Sequence, residues 1–276
     1  MQKVRLVMSD IDGTILNSHH QLTSAAKSCV NNLISQGIYF ILASARPPKA
    51  MIGIAEELAI KMPLVAFNGA LITVPLAEGR FKEIYSLPLE KLDAILVLQT
   101  LKAFEANIST NVYASDHWFV ESVDPWNQIE SQITGIEPEV IDFNVLIQSE
   151  VSLHKILCIG EPEELTKLEL ALERLNIFGI SFVRSKANYL EIINAQVSKL
   201  GAMIELSRLL KIPLRDIVAI GDNDNDLPMI IHAGLGIAMG NASVEVQNQA
   251  DRVTLNNNEE GFAHALAPLI EIENFE

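Results

Sequence analysis

A parallel α/β sheet covered by helices on both faces, with a second α/β domain inserted into it, is the architecture that the sequence predicts. Three observations point there. Val4–Met8, Ile38–Ala43, Leu64–Phe67, Ile217–Ile220 and Leu235–Met239 are short runs that are apolar but for Arg5, the pattern of strands buried on both sides. Segments of helical periodicity separate them. The middle of the chain breaks this rhythm, and both tryptophans, Trp118 and Trp126, lie there.

The elements follow in order. Val4–Met8 stops at polar Ser9-Asp10. Ser24–Gln36 places Val30, Leu33 and Ile34 at helical spacing and ends at Gly37, a C-terminal signal. Ile38–Ala43 is the next strand, and Pro47-Pro48 open a helix running to Leu58. Leu64–Phe67 is a third strand, closed by Asn68-Gly69. In the middle, Leu89–Phe104 and Pro162–Leu175 read as helices; Val112–Ala114, Trp118–Val120, Ile156–Ile159 and Ile180–Arg184 read as strands. The expected division is a first domain of residues 1–82 and 187–276 and an inserted domain of residues 83–186.

Composition narrows the function. Of 276 residues, 20 are Lys or Arg and 35 are Asp or Glu, a net charge of −15. No Lys/Arg run supplies the basic patch that nucleic acid requires, so nucleic acid is excluded as a partner. Cys29 and Cys158, the only two cysteines, make neither a metal pattern nor a disulfide framework. The N-terminus lacks the form of a signal peptide. The longest apolar run, about Ile38–Ala43, is far below the ~20 residues that span a bilayer. A cytoplasmic protein without a membrane partner is the expectation.

Four patches carry chemistry. Asp10-Ile11-Asp12-Gly13-Thr14 follows the first strand, and ligands of parallel sheets bind beyond the carboxyl ends of strands. Ser44-Ala45-Arg46-Pro47 follows the second; a hydroxyl and backbone N–H groups before a Pro-started helix suit an anion. Lys199, after a capping Ser198, stands in the first turn of a helix running to Leu210, where it opposes the helix dipole. Gly221-Asp222-Asn223-Asp224-Asn225-Asp226 follows the strand Ile217–Ile220. Neither Asp-rich patch has the Glu that ends a calcium loop: Gln21 and Ala233 hold those positions. His19 and His20 are expected on an exposed flap after the first patch.

The four patches combine into one expectation. Asp10, Asp12, Asp222 and Asp226 would share a small site. Two like charges ~4 Å apart at an effective dielectric of ~20 repel by ~4 kcal/mol, so the cluster must take up protons or hold a cation. All-oxygen ligands with few carboxylates suit Mg²⁺, which keeps waters and accepts a substrate oxygen. With a lysine and an anion nest beside it, the missing partner is a phosphoryl group.

These motifs, DIDGTIL, ASARP, Asn68-Gly69-Ala70, VSKLGA and GDNDNDLPM, with YLEII and GIAMGNA beside them, resemble the haloacid dehalogenase-like superfamily, in particular its Cof-type phosphatases. The resemblance implies a Rossmann-like parallel-sheet core with an inserted α/β cap. It implies a Mg²⁺-dependent phosphatase, a phosphoric monoester hydrolase acting on small phosphorylated metabolites such as sugar phosphates. Asp10 would be the nucleophile, forming an aspartyl-phosphate, and a metal ligand. Asp12 would bind metal through its backbone carbonyl and act as acid, then base. Ile11 and Ala45 would offer N–H groups to phosphate, and Ser44 its hydroxyl. Arg46, Asn68 and Asn225 would touch the substrate. Lys199 would bridge Asp10 and the phosphate. Asp222 would be the third metal ligand, and Asp226 would orient metal waters or Lys199. Where the family usually writes Thr-Gly-Arg, this chain has Ser44-Ala45-Arg46, and Ala45 tolerates positive φ less well than glycine. A phosphomutase, a dehalogenase, a phosphoprotein phosphatase and a non-catalytic phosphometabolite-binding protein are the alternatives.

Overall fold

The computed structural model describes residues 3–76, 79–104 and 106–270. The chain folds as two compact units, one drawn mainly from both ends of the chain, up to Tyr85 and from Ser198 onward, the other mainly from Ser86–Val197.

In chain order the first unit begins with β1 (Leu6–Ser9), α1 (Ser24–Ser35), β2 (Tyr39–Ala43), α2 (Lys49–Glu57), β3 (Leu64–Ala66), β4 (Leu71–Pro75) and β5 (Phe81–Ser86). The second unit supplies α3 (Lys91–Ala103), β6 (Ser109–Ala114), β7 (His117–Val120), α4 (Pro125–Thr134), β8 (Glu139–Val140), α5 (Phe143–Gln148), β9 (Lys155–Ile159), α6 (Pro162–Glu173), β10 (Ile180–Lys186) and β11 (Tyr189–Asn194). The chain then returns with α7 (Lys199–Leu210), β12 (Ile217–Gly221), α8 (Leu227–His232), β13 (Leu235–Ala238), α9 (Val244–Gln249), β14 (Arg252–Val253) and α10 (Gly261–Ile270).

The first unit holds an eight-stranded sheet in the order β14-β13-β12-β1-β2-β3-β4-β5. It is parallel from β14 to β3 and turns antiparallel at β4. The central place of β1 explains the apolar run Leu6–Met8: all three residues are wholly buried, each contributing about 1.5–3 kcal/mol by burial. Leu6, Met8, Ile41 and Ala219 pack with Ala202, Met203 and Leu206 of α7, so the core fixes the helix that begins with Lys199. Because β1, β2, β3 and β12 are parallel, their carboxyl ends share one edge; the Asp10, Ser44 and Asp222 patches emerge there, and the start of α7 brings Lys199 to it.

The second unit has a six-stranded sheet, β10-β11-β9-β6-β7-β8. The apolar side of Val112, Ile156, Leu190 and Ile192 packs with residues of α3, α5 and α6, including Val97, Leu146 and Leu168. The expected boundary at residue 186/187 is displaced. It falls inside the β10–β11 hairpin, and Tyr189–Asn194 pairs with both β10 and β9. The segment YLEII, read as flanking text of the first domain, is thus a central strand of the second. Among the described residues no helix is long and apolar enough to cross a membrane.

Candidate active site

Asp10 follows β1 directly, and its N–H donates to the Ile220 carbonyl of neighbouring β12 at 3.0 Å, so the sheet itself holds its backbone. Ile11 is buried, and its carbonyl accepts from the N–H groups of Thr14 and Leu16, which curls the chain after Asp10. Gly13 has φ +81°, and a Cβ there would lie 2.4 Å from Asp222 Oδ2. Only a glycine lets this loop come so near the loop after β12.

Lys199 lies beneath Asp10. Ser198 caps α7 by accepting from the Gly201 N–H at 3.0 Å, as expected. At Gly69, where φ is +107°, a Cβ would meet the Ser198 carbonyl oxygen at 2.4 Å. The turn after β3 therefore presses directly on the start of α7. Lys199 Nζ donates to Asp10 Oδ1 at 2.5 Å and to Asp226 Oδ1 at 2.6 Å, with the lysine side chain fully enclosed. The misfit of a lysine at a helix start is thus resolved by two carboxylates. Asp226 also accepts, through Oδ2, the N–H groups of Asp222 and Asn223, both at 3.1 Å, and so shapes the loop it belongs to.

Carboxyl oxygens of Asp10, Asp222 and Asp226 lie within 4.8 Å of one another. Three carboxylates thus face one ammonium. Burial pushes the Asp10 carboxyl well above its usual range; Lys199 opposes this, while Asp226 and Asp222 add repulsion. Burial and the charge of Asp226 likewise push Asp222 up to about 6. Lys199 is held above the usual lysine value, the two carboxylates outweighing its burial. A cluster of this composition gains by binding a small divalent cation, which would replace protons as the compensating charge. Its all-oxygen donors fit Mg²⁺.

Asp12 does not join the cluster, in contrast to the expectation that all four carboxylates share one site. Its side chain turns to Arg46, which donates from Nε to Oδ2 at 2.8 Å and from a terminal nitrogen to Oδ1 at 2.6 Å. His20 Nδ1 lies 3.1 Å from the same Oδ1. Burial raises the Asp12 carboxyl, but the hydrogen bonds and charge of Arg46, aided by His20, outweigh it and hold it below its usual range. Arg46, expected on the substrate, is therefore occupied by Asp12 in this structure: its planar fork matches a carboxylate.

Ser44 is buried at the end of β2; its Oγ accepts the Arg46 N–H at 3.2 Å, and its carbonyl accepts the Asn68 N–H at 2.8 Å. Ala45 is not among the residues of positive φ, so replacing the family's glycine introduces no backbone strain. Asn68, with φ +58°, accepts at Oδ1 from Asn225 Nδ2 at 2.9 Å. The two expected substrate contacts thus touch each other, leaving Asn225 Oδ1 buried without a hydrogen-bond partner among the described residues.

Three residues went unassigned. Thr14 Oγ1 donates to Asp222 Oδ1 at 2.9 Å, and Asn241 Nδ2 to Asp222 Oδ2 at 3.2 Å. His20 reaches Asp12 from a flap folded by Asn17, whose Oδ1 accepts the N–H groups of His19 and Gln21. The flap is tied far along the chain: Asn257 Nδ2 donates to the Leu16 carbonyl at 3.0 Å, and Asn258 Oδ1 accepts from Ser18 Oγ at 2.9 Å. Thr14 and Asn241 stood inside recognised motifs. His20 left no signal beyond its nearness in sequence.

The match to known families agrees with this geometry. Residues 7–266 match the family of haloacid dehalogenase-like hydrolases, and the chain belongs to that family. A Haemophilus influenzae protein, provisionally named a phosphatase, is 35% identical over 260 residues, covering 94% of this chain and 95% of its own. The HMP-PP phosphatase of Yersinia enterocolitica is 27% identical over 264 residues, covering 95% and 94%. The crystal structure of a haloacid dehalogenase-like hydrolase from Bacteroides thetaiotaomicron superposes with a TM-score of 0.86 at 28% identity, over 97% of this chain and 100% of that one. The chain is thus an enzyme of the hydrolase class, and its relatives' phosphatase names are consistent with a phosphoric monoester hydrolase.

Proposed function

We propose that this protein is a Mg²⁺-dependent phosphatase of small phosphorylated metabolites that works through an aspartyl-phosphate on Asp10. The observation that carries the reading is the fully enclosed Lys199 ammonium shared by Asp10 and Asp226, with Asp222 within the same oxygen cluster. Asp10, Asp222 and the backbone carbonyl of Asp12 would hold the metal, with Asp226 ordering Lys199 behind them. The bound cation would neutralise the carboxylates and stabilise charge on the phosphoryl oxygens.

Asp10 attacks phosphorus with a carboxyl oxygen as the ester P–O bond breaks, giving an acyl phosphate. Lys199 offsets the repulsion between carboxylate and phosphate and supports the oxygens of the transferring group. Ser44 and the N–H of Ala45, with Ile11 and Asn225, orient it. Asp12 gives its proton to the departing alcohol, then takes one from the water that hydrolyses the acyl phosphate. Arg46 must loosen its grip for the first of these steps, because it favours the ionised acid. The second unit serves as the cap that selects the substrate. A small soluble substrate fits the cytoplasmic location expected from the sequence.

The test is phosphate release from a panel of sugar phosphates and phosphorylated cofactors, with Mg²⁺ and with EDTA. Release is expected only with metal and is abolished in Asp10→Asn. Full turnover by Asp10→Asn, or by the EDTA-treated enzyme, would overturn the reading.

A further inference from the structure

We propose that Asn241 is a positioning residue for the metal site, its side-chain amide fixing the Asp222 carboxylate against the nucleophile loop. This rests on the reading of Asp222 as a metal ligand.

Asn241 lies in the GIAMGNA segment, just beyond the carboxyl end of β13. Since β13 is parallel to β12, its following loop emerges at the same sheet edge as Asp222. One amide nitrogen serves two loops there: Asn241 Nδ2 donates to the Gly13 carbonyl at 2.9 Å and to Asp222 Oδ2 at 3.2 Å. The other end is pinned, for Asn241 Oδ1 accepts the Asn257 N–H at 3.0 Å. That third bond settles the orientation of the amide. A backbone N–H can only donate, and the Gly13 carbonyl and an ionised carboxylate can only accept. Flipping the amide would set an oxygen against two acceptors and a nitrogen against a donor.

The consequence for Asp222 is geometric. Thr14 Oγ1 holds its Oδ1 and Asn241 holds its Oδ2. Each carboxylate oxygen has two acceptor positions, so one remains on each for a cation while the plane of the group is set by its two donors. Groups that orient a ligand in this way typically change metal affinity or activity by about 10–100-fold when removed. Because the same amide also holds the Gly13 carbonyl, it ties Asp222 to the loop that carries Asp10 and Asp12.

The test is calorimetric titration of Mg²⁺ into metal-stripped protein, which does not depend on knowing the substrate. Asn241→Ala is expected to bind Mg²⁺ about tenfold more weakly than wild type. Asn241→Ser should behave the same way, its hydroxyl being too short to reach both partners, and it serves if the alanine variant folds poorly. Wild-type affinity in a folded Asn241 variant would overturn the assignment. Failure of the wild-type protein itself to bind Mg²⁺ would instead strike at the metal reading on which it rests.

Discussion

Lys199 Nζ lies 2.6 Å from Asp226 Oδ1, with neither side chain exposed to water. Removing one partner of such a pair strands the other, a loss of about 3–5 kcal/mol. Asp226→Asn should show this by chemical denaturation. Turnover should also fall roughly a hundredfold, since the loop bearing Asp222 and the ammonium under Asp10 would both shift. Unchanged stability would mean that Lys199 finds another partner.

Gly69→Ala tests the contact with Ser198 from the opposite loop. The new methyl must displace a backbone oxygen, and φ there is unfavourable for alanine. The expected cost is about 1–3 kcal/mol, with kcat falling more than KM rises because the start of α7 moves with Lys199. Steady-state kinetics of a variant that is still folded checks it.

Much of this site was legible because its motifs are continuous in sequence and sit where parallel strands end. Asp10, Asp222 and Asp226 needed only the period of the strands to be brought to one edge, whereas Lys199 was marked by its misfit at a helix start. Two things were not legible. Whether Arg46 points at a substrate or at Asp12 depends on rotamers, and nothing in Ser44-Ala45-Arg46 distinguishes them. The hairpin of β10 and β11 was divided because the expected boundary at Lys186 follows the last strand that the sequence marks in the middle of the chain, Ile180–Arg184; pairing of Tyr189–Asn194 with β9 decides its allegiance, and pairing is not local.

Arg46→Ala should release Asp12. The carboxyl of Asp12 is depressed in the folded protein, so its pairing contributes stability at neutral pH that is lost as pH falls through the depressed value. Wild type should therefore exceed Arg46→Ala in melting temperature near pH 7, and the two should converge in strong acid. A constant difference at all pH values would locate the effect in packing instead.

The cluster makes the opposite prediction for metal-free protein. Asp10 and Asp222 are raised, so the folded state holds protons that the unfolded chain releases, and stability falls as pH rises from about 4 through about 6. Melting of EDTA-treated protein between pH 5 and 8 should show this decline. Saturating Mg²⁺ should flatten it, because the cation then carries the charge that protons carried.

The ties from Asn257 to Leu16 and from Asn258 to Ser18 have a temporal side. A nascent chain presents Asp10 early, yet the flap beside it cannot be fastened until residues some 240 positions later have left the ribosome. Everything between Asp10 and Asn258 must therefore be synthesised before His20 can be held beside Asp12. A partly made chain would carry every reactive group named above and still lack the brace that sets one of them in place.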